Sequence, residues 1–153
     1  MAELAAFCTE SWVISTKTDA GSGSWEAAAC RCLQDLEILE PDWLALLKQW
    51  EQAPELPGFA PQDPEKLERI AVYFAFRYLL KAVNDGDLLG RAQFCALGVL
   101  VTDRLSRFVG LPEALRLFSR EIEHNGDNLD TLLEQFWQTE GLSLSALLAA
   151  FGG

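Results

Sequence analysis

Basic residues are scarce in this chain, since only 12 lysines and arginines accompany 23 aspartates and glutamates. The formal net charge is therefore -11 at pH 7. A field of this sign repels the phosphate backbone of nucleic acids and the anionic headgroups of membranes. We expect partners that are neither nucleic acids nor membrane surfaces.

Long hydrophobic runs are missing as well. The longest, 70–76 and 94–101, are much shorter than the roughly 20 apolar residues that cross a bilayer. The N-terminus carries Glu3 and no basic cluster ahead of its short apolar stretch, which does not fit a secretory signal. These absences predict a cytoplasmic protein.

Cysteine and histidine are both sparse. The four cysteines (Cys8, Cys30, Cys32 and Cys95) are too few and too scattered for a disulfide framework, so reduced thiols are expected. Cys30 and Cys32 are two residues apart on a predicted helix, where they point to different faces and do not chelate one ion. The only histidine, His124, comes from another segment. We predict no metal site and assign Cys32 and Cys95 to core packing.

Apolar and aromatic residues are abundant, and they define the class of fold. Half of the 153 residues are hydrophobic, with five tryptophans and nine phenylalanines, which indicates one globular domain. No segment alternates with a period of two, and no internal repeat is present. The sequence predicts an all-α bundle of six or seven helices.

The segment Ile70–Asp87 is apolar on nearly every side. A helix of that kind is stable only when it is surrounded, so a helix over about residues 64–84 is predicted to form the centre of the bundle. The next predicted helix, about 88–108, contains Gly90 and Gly98. Because glycine disfavours helices, both are expected to permit close approach of the central helix.

The remaining chain divides into four parts. Residues 1–23 are poorly defined, 24–140 form the helical domain, 53–64 are a proline-rich linker inside it, and 141–153 are a short C-terminal helix or tail. Apolar spacing predicts helices from Ser24 to about Leu39 and from Pro41 onward, and others follow Gly110 and Gly126. The predicted core or hydrophobic seam includes three of the tryptophans, Trp43, Trp50 and Trp137.

A polar stripe runs along the predicted central helix. Tyr73, Arg77, Lys81 and Asn84 share one face because they are spaced four, four and three residues apart. One interpretation is a cationic site for an anionic group of a cofactor or partner. The other, which we favour, is an internal salt-bridge network with Glu121, because buried ions are normally paired.

His124 lies three residues after Glu121 on the same predicted face. A catalytic base or a pH switch is one interpretation. The favoured one is a histidine at a helix C-terminus that is hydrogen-bonded to Glu121 or to a carbonyl of the last turn. No nucleophile with a local signature lies near it in the sequence, so no catalytic residue is assigned.

Three runs of the chain resemble the C-terminal helical region of the flagellin lysine N-methylase family and the helices before it. These runs are Y-F-A-F-R-Y-L-L-K-A-V-N-D-G-D-L-L-G-R (Tyr73–Arg91), L-F-S-R-E-I-E-H-N-G-D-N-L (Leu117–Leu129) and L-E-I-L-E-P-D-W-L-A-L-L (Leu36–Leu47). The second is the more specific because it fixes polar identities as well as an apolar period. The resemblance extends over Leu33–Trp137.

The resemblance implies a role in the methylation of protein lysines in bacterial flagellin modification, with S-adenosylmethionine as methyl donor. In that family the N-terminal half carries a cysteine cluster that holds iron and sulfur. This chain departs from the pattern, because only Cys8, Cys30 and Cys32 precede Leu33. Under this resemblance we expect a truncated protein, one half of a split gene or a stand-alone descendant of the helical half.

Two functions follow from these observations. The first is a domain that is not catalytic alone and that supports a methylating half or presents its substrate. The second is a stand-alone helical module that binds another protein or homodimerises through its tryptophans and phenylalanines.

Overall fold

The computed structural model describes residues 24–52 and 64–152, and within these ranges it contains helices but no strand. Seven α-helices of eight residues or more are present there, so the predicted all-α class is confirmed. None of these helices combines the length and hydropathy needed to cross a bilayer. The N-terminal segment 1–23 and nearly all of the predicted linker lie outside the described residues.

The elements follow one another in a simple order, and all of them are helical. They are α1 (Ser24–Asp35), α2 (Pro41–Gln52), α3 (Pro64–Tyr78), a 3₁₀ turn (Leu79–Lys81), α4 (Ala82–Asp85), α5 (Leu88–Val109), α6 (Leu111–Phe118), a π-helical segment (Ser119–Glu123), α7 (Gly126–Gln138), a second 3₁₀ turn (Glu140–Leu142) and α8 (Leu144–Gly152).

Helix α5 forms the centre of the bundle. Every residue from Gln93 to Asp103 is buried, and α2, α3, α6, α7 and α8 all pack against it. The apolar residues in the middle of α5 are therefore covered on all sides, as expected of a segment without a polar face. The predicted C-terminal helix is present as α8, which packs on α5 and buries Leu147 completely.

The prediction that residues 64–84 form the central helix is wrong. Helix α3 is amphipathic, and it buries only Ile70, Phe74, Ala75 and Tyr78. After Tyr78 the chain tightens into the 3₁₀ turn and then forms the single turn α4. The segment has apolar residues on two sides, but only one side finds a neighbour among the described residues.

Gly98 lets α3 and α5 approach closely, as predicted. A Cβ atom on Gly98 would lie 2.9 Å from Cζ of Phe74, a residue that is fully buried. Gly90 has a different role, because a Cβ atom there would collide with the carboxylate of Asp87. That carboxylate caps α5 by accepting a hydrogen bond from the Gly90 N–H at 2.9 Å. The expected contact of Gly90 with a neighbouring helix is therefore wrong.

Aromatic rings fill the space between α3, α5 and α6. The ring of Phe74 lies 6.1 Å from that of Phe94 and 5.7 Å from that of Phe118, in edge-to-face arrangements that stabilise aromatic pairs. Trp43 and Trp50 are buried, as predicted, whereas Trp137 is exposed on α7. The aromatic cluster fixes the inner side of α3 and leaves its outer side uncovered.

Candidate functional site

The site is built around the π-helical segment that follows α6. The π-helical hydrogen bond joins residues five apart, with the His124 N–H donating to the Ser119 carbonyl at 2.9 Å. Such segments occur frequently at functional sites. Glu121 and Glu123 lie two residues apart in it, so they point to opposite sides of the turn and bind different parts of the molecule.

Glu121 is fully buried and holds the connection between α1 and α2. One carboxylate oxygen accepts from the Leu39 N–H at 2.9 Å, and the other accepts from the Glu40 N–H at 2.6 Å. Helix α1 ends at Asp35, earlier than the predicted end near Leu39. Leu39 lies in the connection between α1 and α2. Glu121 satisfies two backbone donors directly before α2 begins.

Asn128 of α7 also holds the α1–α2 connection. We call the side chains of Glu121 and Asn128 together the structural lock. The Asn128 side chain accepts from the Glu37 N–H at 3.0 Å and donates to the Glu37 carbonyl and the Glu121 carbonyl, both at 2.9 Å. One amide side chain therefore satisfies three backbone groups. No sequence signal predicts this role, because an asparagine beside a turn is normally a helix cap.

Glu123 binds the opposite neighbour, helix α3. The hydroxyls of Tyr73 and Tyr78 donate to its Oε1 atom at 3.0 and 2.8 Å. The Nε atom of Arg77 lies 3.8 Å from the same oxygen and donates to the Tyr78 hydroxyl at 3.2 Å. The Glu123 side chain is only 4% exposed, so three donor groups surround a nearly buried carboxylate.

The electrostatics of this cluster keep both tyrosines protonated. Burial and the hydrogen bond to Glu123 raise the pKa of Tyr78 well above its usual value, and burial together with the Glu123 charge raises the pKa of Tyr73. The ammonium group of Lys81 lies 5.3 Å from the centre of the Tyr78 ring, within the range of a cation–π contact. Both hydroxyls therefore act as donors at neutral pH.

The predicted pairing of Arg77 with Glu121 is wrong. Both Glu121 oxygens are bound to backbone N–H groups, and the carboxylate that faces Arg77 belongs to Glu123. Arg77 and Lys81 are exposed at the edge of the cluster instead of enclosed. His124 is also exposed, and in the described part of the chain its side chain makes no hydrogen bond to Glu121.

A row of large apolar side chains, which we call the outer stripe, lies beside these cations. It consists of Tyr73, Phe76, Leu80 and Val83, which are 44, 48, 52 and 86% exposed. The sequence analysis missed it because the whole segment was assigned to the centre of the fold. The signal was present, since two cations on an apolar helix are typical of a boundary helix and not of a central one.

The described cysteines are buried in the core. This confirms the core-packing prediction for Cys32 and Cys95, and burial raises the pKa of the Cys30 thiol from its ordinary value of 9.0 to about 12. Within 24–52 and 64–152, no group of three or more His, Cys, Asp or Glu side chains is arranged to hold a metal ion. An iron–sulfur cluster is typically held by four cysteine thiolates, and the three described thiols form no such group.

No family model, curated protein or solved structure compared with this chain matches it. The resemblance to the flagellin lysine N-methylases therefore stays a prediction.

Proposed function

We propose that this domain is a protein-interaction module whose outer stripe receives a helix of a partner chain. The observation that carries the proposal is the exposure of four large apolar side chains along one side of α3 and α4. Isolated exposed apolar residues are common, but a contiguous row bordered by charge is typical of a binding surface. A helix laid along such a row is a recurring mode of recognition.

The stripe lies on a rigid support, which favours binding. The Tyr73 hydroxyl is fixed by Glu123, and Phe74 on the inner side of α3 is packed against Gly98 of α5. A surface whose side chains are already ordered loses little conformational entropy when a partner docks. The hydrogen bonds to Glu123 therefore hold Tyr73 and Tyr78 of α3 in place. Arg77 and Lys81 are exposed at the edge of the surface, where a partner can contact them.

The family resemblance specifies one class of partner, a methylating half of the flagellin lysine N-methylase type. The run Leu117–Leu129 carries the most specific part of the resemblance, and it contains both Glu121 and Glu123. Its polar residues support the α1–α2 connection and helix α3. In this proposal the domain is not catalytic alone, and S-adenosylmethionine and the iron–sulfur cluster belong to the other half.

Photocrosslinking in cells tests the proposal. The variant Phe76→p-benzoylphenylalanine places a photoreactive group on the outer stripe, and Thr131→p-benzoylphenylalanine places one on an exposed position of α7 as a matched control. We expect a defined adduct with another protein chain from position 76 only, and its loss when Leu80→Lys is added. The same adducts from both positions, or adducts from neither, would contradict the proposal.

A thermal-shift experiment tests where the cofactor belongs. Because a ligand that binds only the folded state raises the melting temperature, saturating S-adenosylmethionine should leave the Tm of this chain unchanged. A clear rise in Tm would place a cofactor site in this chain and overturn the assignment to the other half.

A further inference from the structure

The outer stripe has the spacing of a coiled-coil seam. Its members follow one another at intervals of three, four and three residues, which are the intervals between the a and d positions of heptads. The buried residues Phe74, Ala75 and Tyr78 fall on the opposite side of the same helix. Although a 3₁₀ turn interrupts the α-helix at Leu79–Lys81, Leu80 and Val83 still face outward. The surface is therefore shaped for a second helix lying alongside.

The charges next to the stripe are positive, in contrast to the rest of the molecule. Arg69 precedes Tyr73 by one turn, and Arg77 and Lys81 border the stripe farther along. No acidic residue occurs between Arg69 and Asn84, although the chain as a whole carries -11. Within the described residues Arg69 and Lys81 form no ion pair, so their charges are available to a partner.

The carboxylates near the stripe are already bound within this chain. Glu123 accepts from two tyrosine hydroxyls, Asp85 accepts from Arg91 at 2.8 Å, and Asp87 caps α5. The acidic residues Glu65 and Glu68 lie farther back, at the start of α3. Arg77 and Lys81 are the cations nearest to Phe76 and Leu80, and Arg77 lies 3.8 Å from the Glu123 carboxylate.

A second copy of this chain is a poor occupant of the surface. A two-fold dimer brings the same patch of each copy together, so Arg77 and Lys81 would face the same cations of the other chain. Charge complementarity instead favours an element with apolar residues at heptad spacing and acidic residues beside them.

We infer that the outer stripe binds an acidic amphipathic helix of a partner protein, whose leucine-like residues pack on Phe76, Leu80 and Val83 while its carboxylates pair with Arg77 and Lys81. This inference rests on the proposed function and specifies the chemistry of the partner. Arg77 and Lys81 also make the surface selective, because these cations repel the like charges of a basic helix.

Fluorescence anisotropy with two labelled peptides tests the inference on the full chain. Both probes contain three heptads with leucine at the a and d positions, and they carry either glutamate or lysine at the e and g positions. We expect the acidic probe to bind about tenfold more tightly than the basic probe, and the difference to shrink as salt is added. Equal binding of the two probes would overturn the acidic partner and leave the interaction module standing.

Matched variants locate the binding. Val83→Asn should weaken the acidic probe by about tenfold without lowering Tm, because Val83 is the most exposed member of the stripe and the change adds no charge. Trp137→Asn changes an exposed apolar residue on α7 and should have no effect. Lys81→Glu should weaken the acidic probe by about fivefold, whereas Lys48→Glu, an equal change of charge on α2, should not.

Other occupants of the surface would give different results. If neither probe binds and position 76 crosslinks to a second copy of the chain, the occupant is a homodimer and the inference is overturned. If position 76 crosslinks only within its own chain, another segment of the protein covers the stripe, and both the inference and the proposed function fail.

Discussion

Helices α3 and α5 are both rich in apolar residues, yet the fold uses them differently. Helix α5 is buried without interruption from Gln93 to Asp103 and packs against α2, α3, α6, α7 and α8. Helix α3 buries one side and exposes Tyr73 and Phe76 on the other. The first forms the core of this domain, and the second lies at its boundary.

The difference teaches how apolar content is to be interpreted. A helix without charge in its middle, such as Phe94–Val101 of α5, has no residue that needs water. A helix that carries Arg77 and Lys81 among its apolar residues has a side that must remain accessible. Apolar residues on that side are therefore better explained by an external partner than by the core.

The largest effect is expected when the two sides of α3 are compared directly. Phe74→Ala should lower the free energy of unfolding by about 3–5 kcal/mol, because it leaves a cavity among Phe94 and Phe118. Phe76→Ala, two residues away on the exposed side, should lower it by less than about 1 kcal/mol. Urea unfolding of both variants measures the difference, and similar losses would refute the assignment of the two sides.

Glu121 tests the structural lock that holds the α1–α2 connection. Glu121→Ala removes the buried carboxylate that accepts from the Leu39 and Glu40 N–H groups and should lower the free energy of unfolding by about 2–4 kcal/mol. Glu113→Ala removes an exposed carboxylate paired with Arg116 and should produce no resolvable change. The lock would be disproved if the two variants had the same stability.

Gly98 tests the contact between the two helices. Gly98→Ala should lower the free energy of unfolding by about 1–2 kcal/mol, because the new methyl group meets the Phe74 ring, even though alanine favours helices. Gly126→Ala, at the start of α7, meets no atom within 4 Å and should be neutral or stabilising. Thermal unfolding separates the two cases, and a stabilising Gly98→Ala would rule out close contact.

Tyr78 gives the smallest effect, and it depends on pH. Its pKa is raised in the folded state, so its contribution to stability is complete below the unfolded value of about 10 and is lost as the pH rises above it. The Cys30 thiol acts in the same direction above its ordinary value of 9.0. Wild type should therefore lose stability more steeply than Tyr78→Phe between about pH 10 and 11. Identical pH profiles would contradict the burial of this hydroxyl.

Local interactions define where several helices begin. Asp87 caps α5 and Ser143 caps α8, where its hydroxyl accepts from the Ala146 N–H at 3.2 Å. These signals depend on groups three residues apart, so no tertiary information is needed. The all-α class follows from the same kind of local pattern.

The arrangement of the helices could not be predicted in this way. Which of two apolar helices is central depends on how many neighbours each one finds, and that is a property of the whole chain. The partner of Arg77 was missed for a related reason, because Glu121 and Glu123 are only two residues apart and differ in the side they face. A small change in helical winding decides between them, and the π-helical segment lies at this position.

The central claim is that the outer side of α3 is open to a partner while its inner side belongs to the core. Hydroxyl-radical footprinting by mass spectrometry tests it most directly, by comparing the oxidation of Phe74 and Phe76 in the isolated chain. We expect Phe76 to be oxidised readily and Phe74 to be protected, because only the former is exposed to solvent. Equal protection of both rings would show that the chain covers its own outer stripe and would contradict the account.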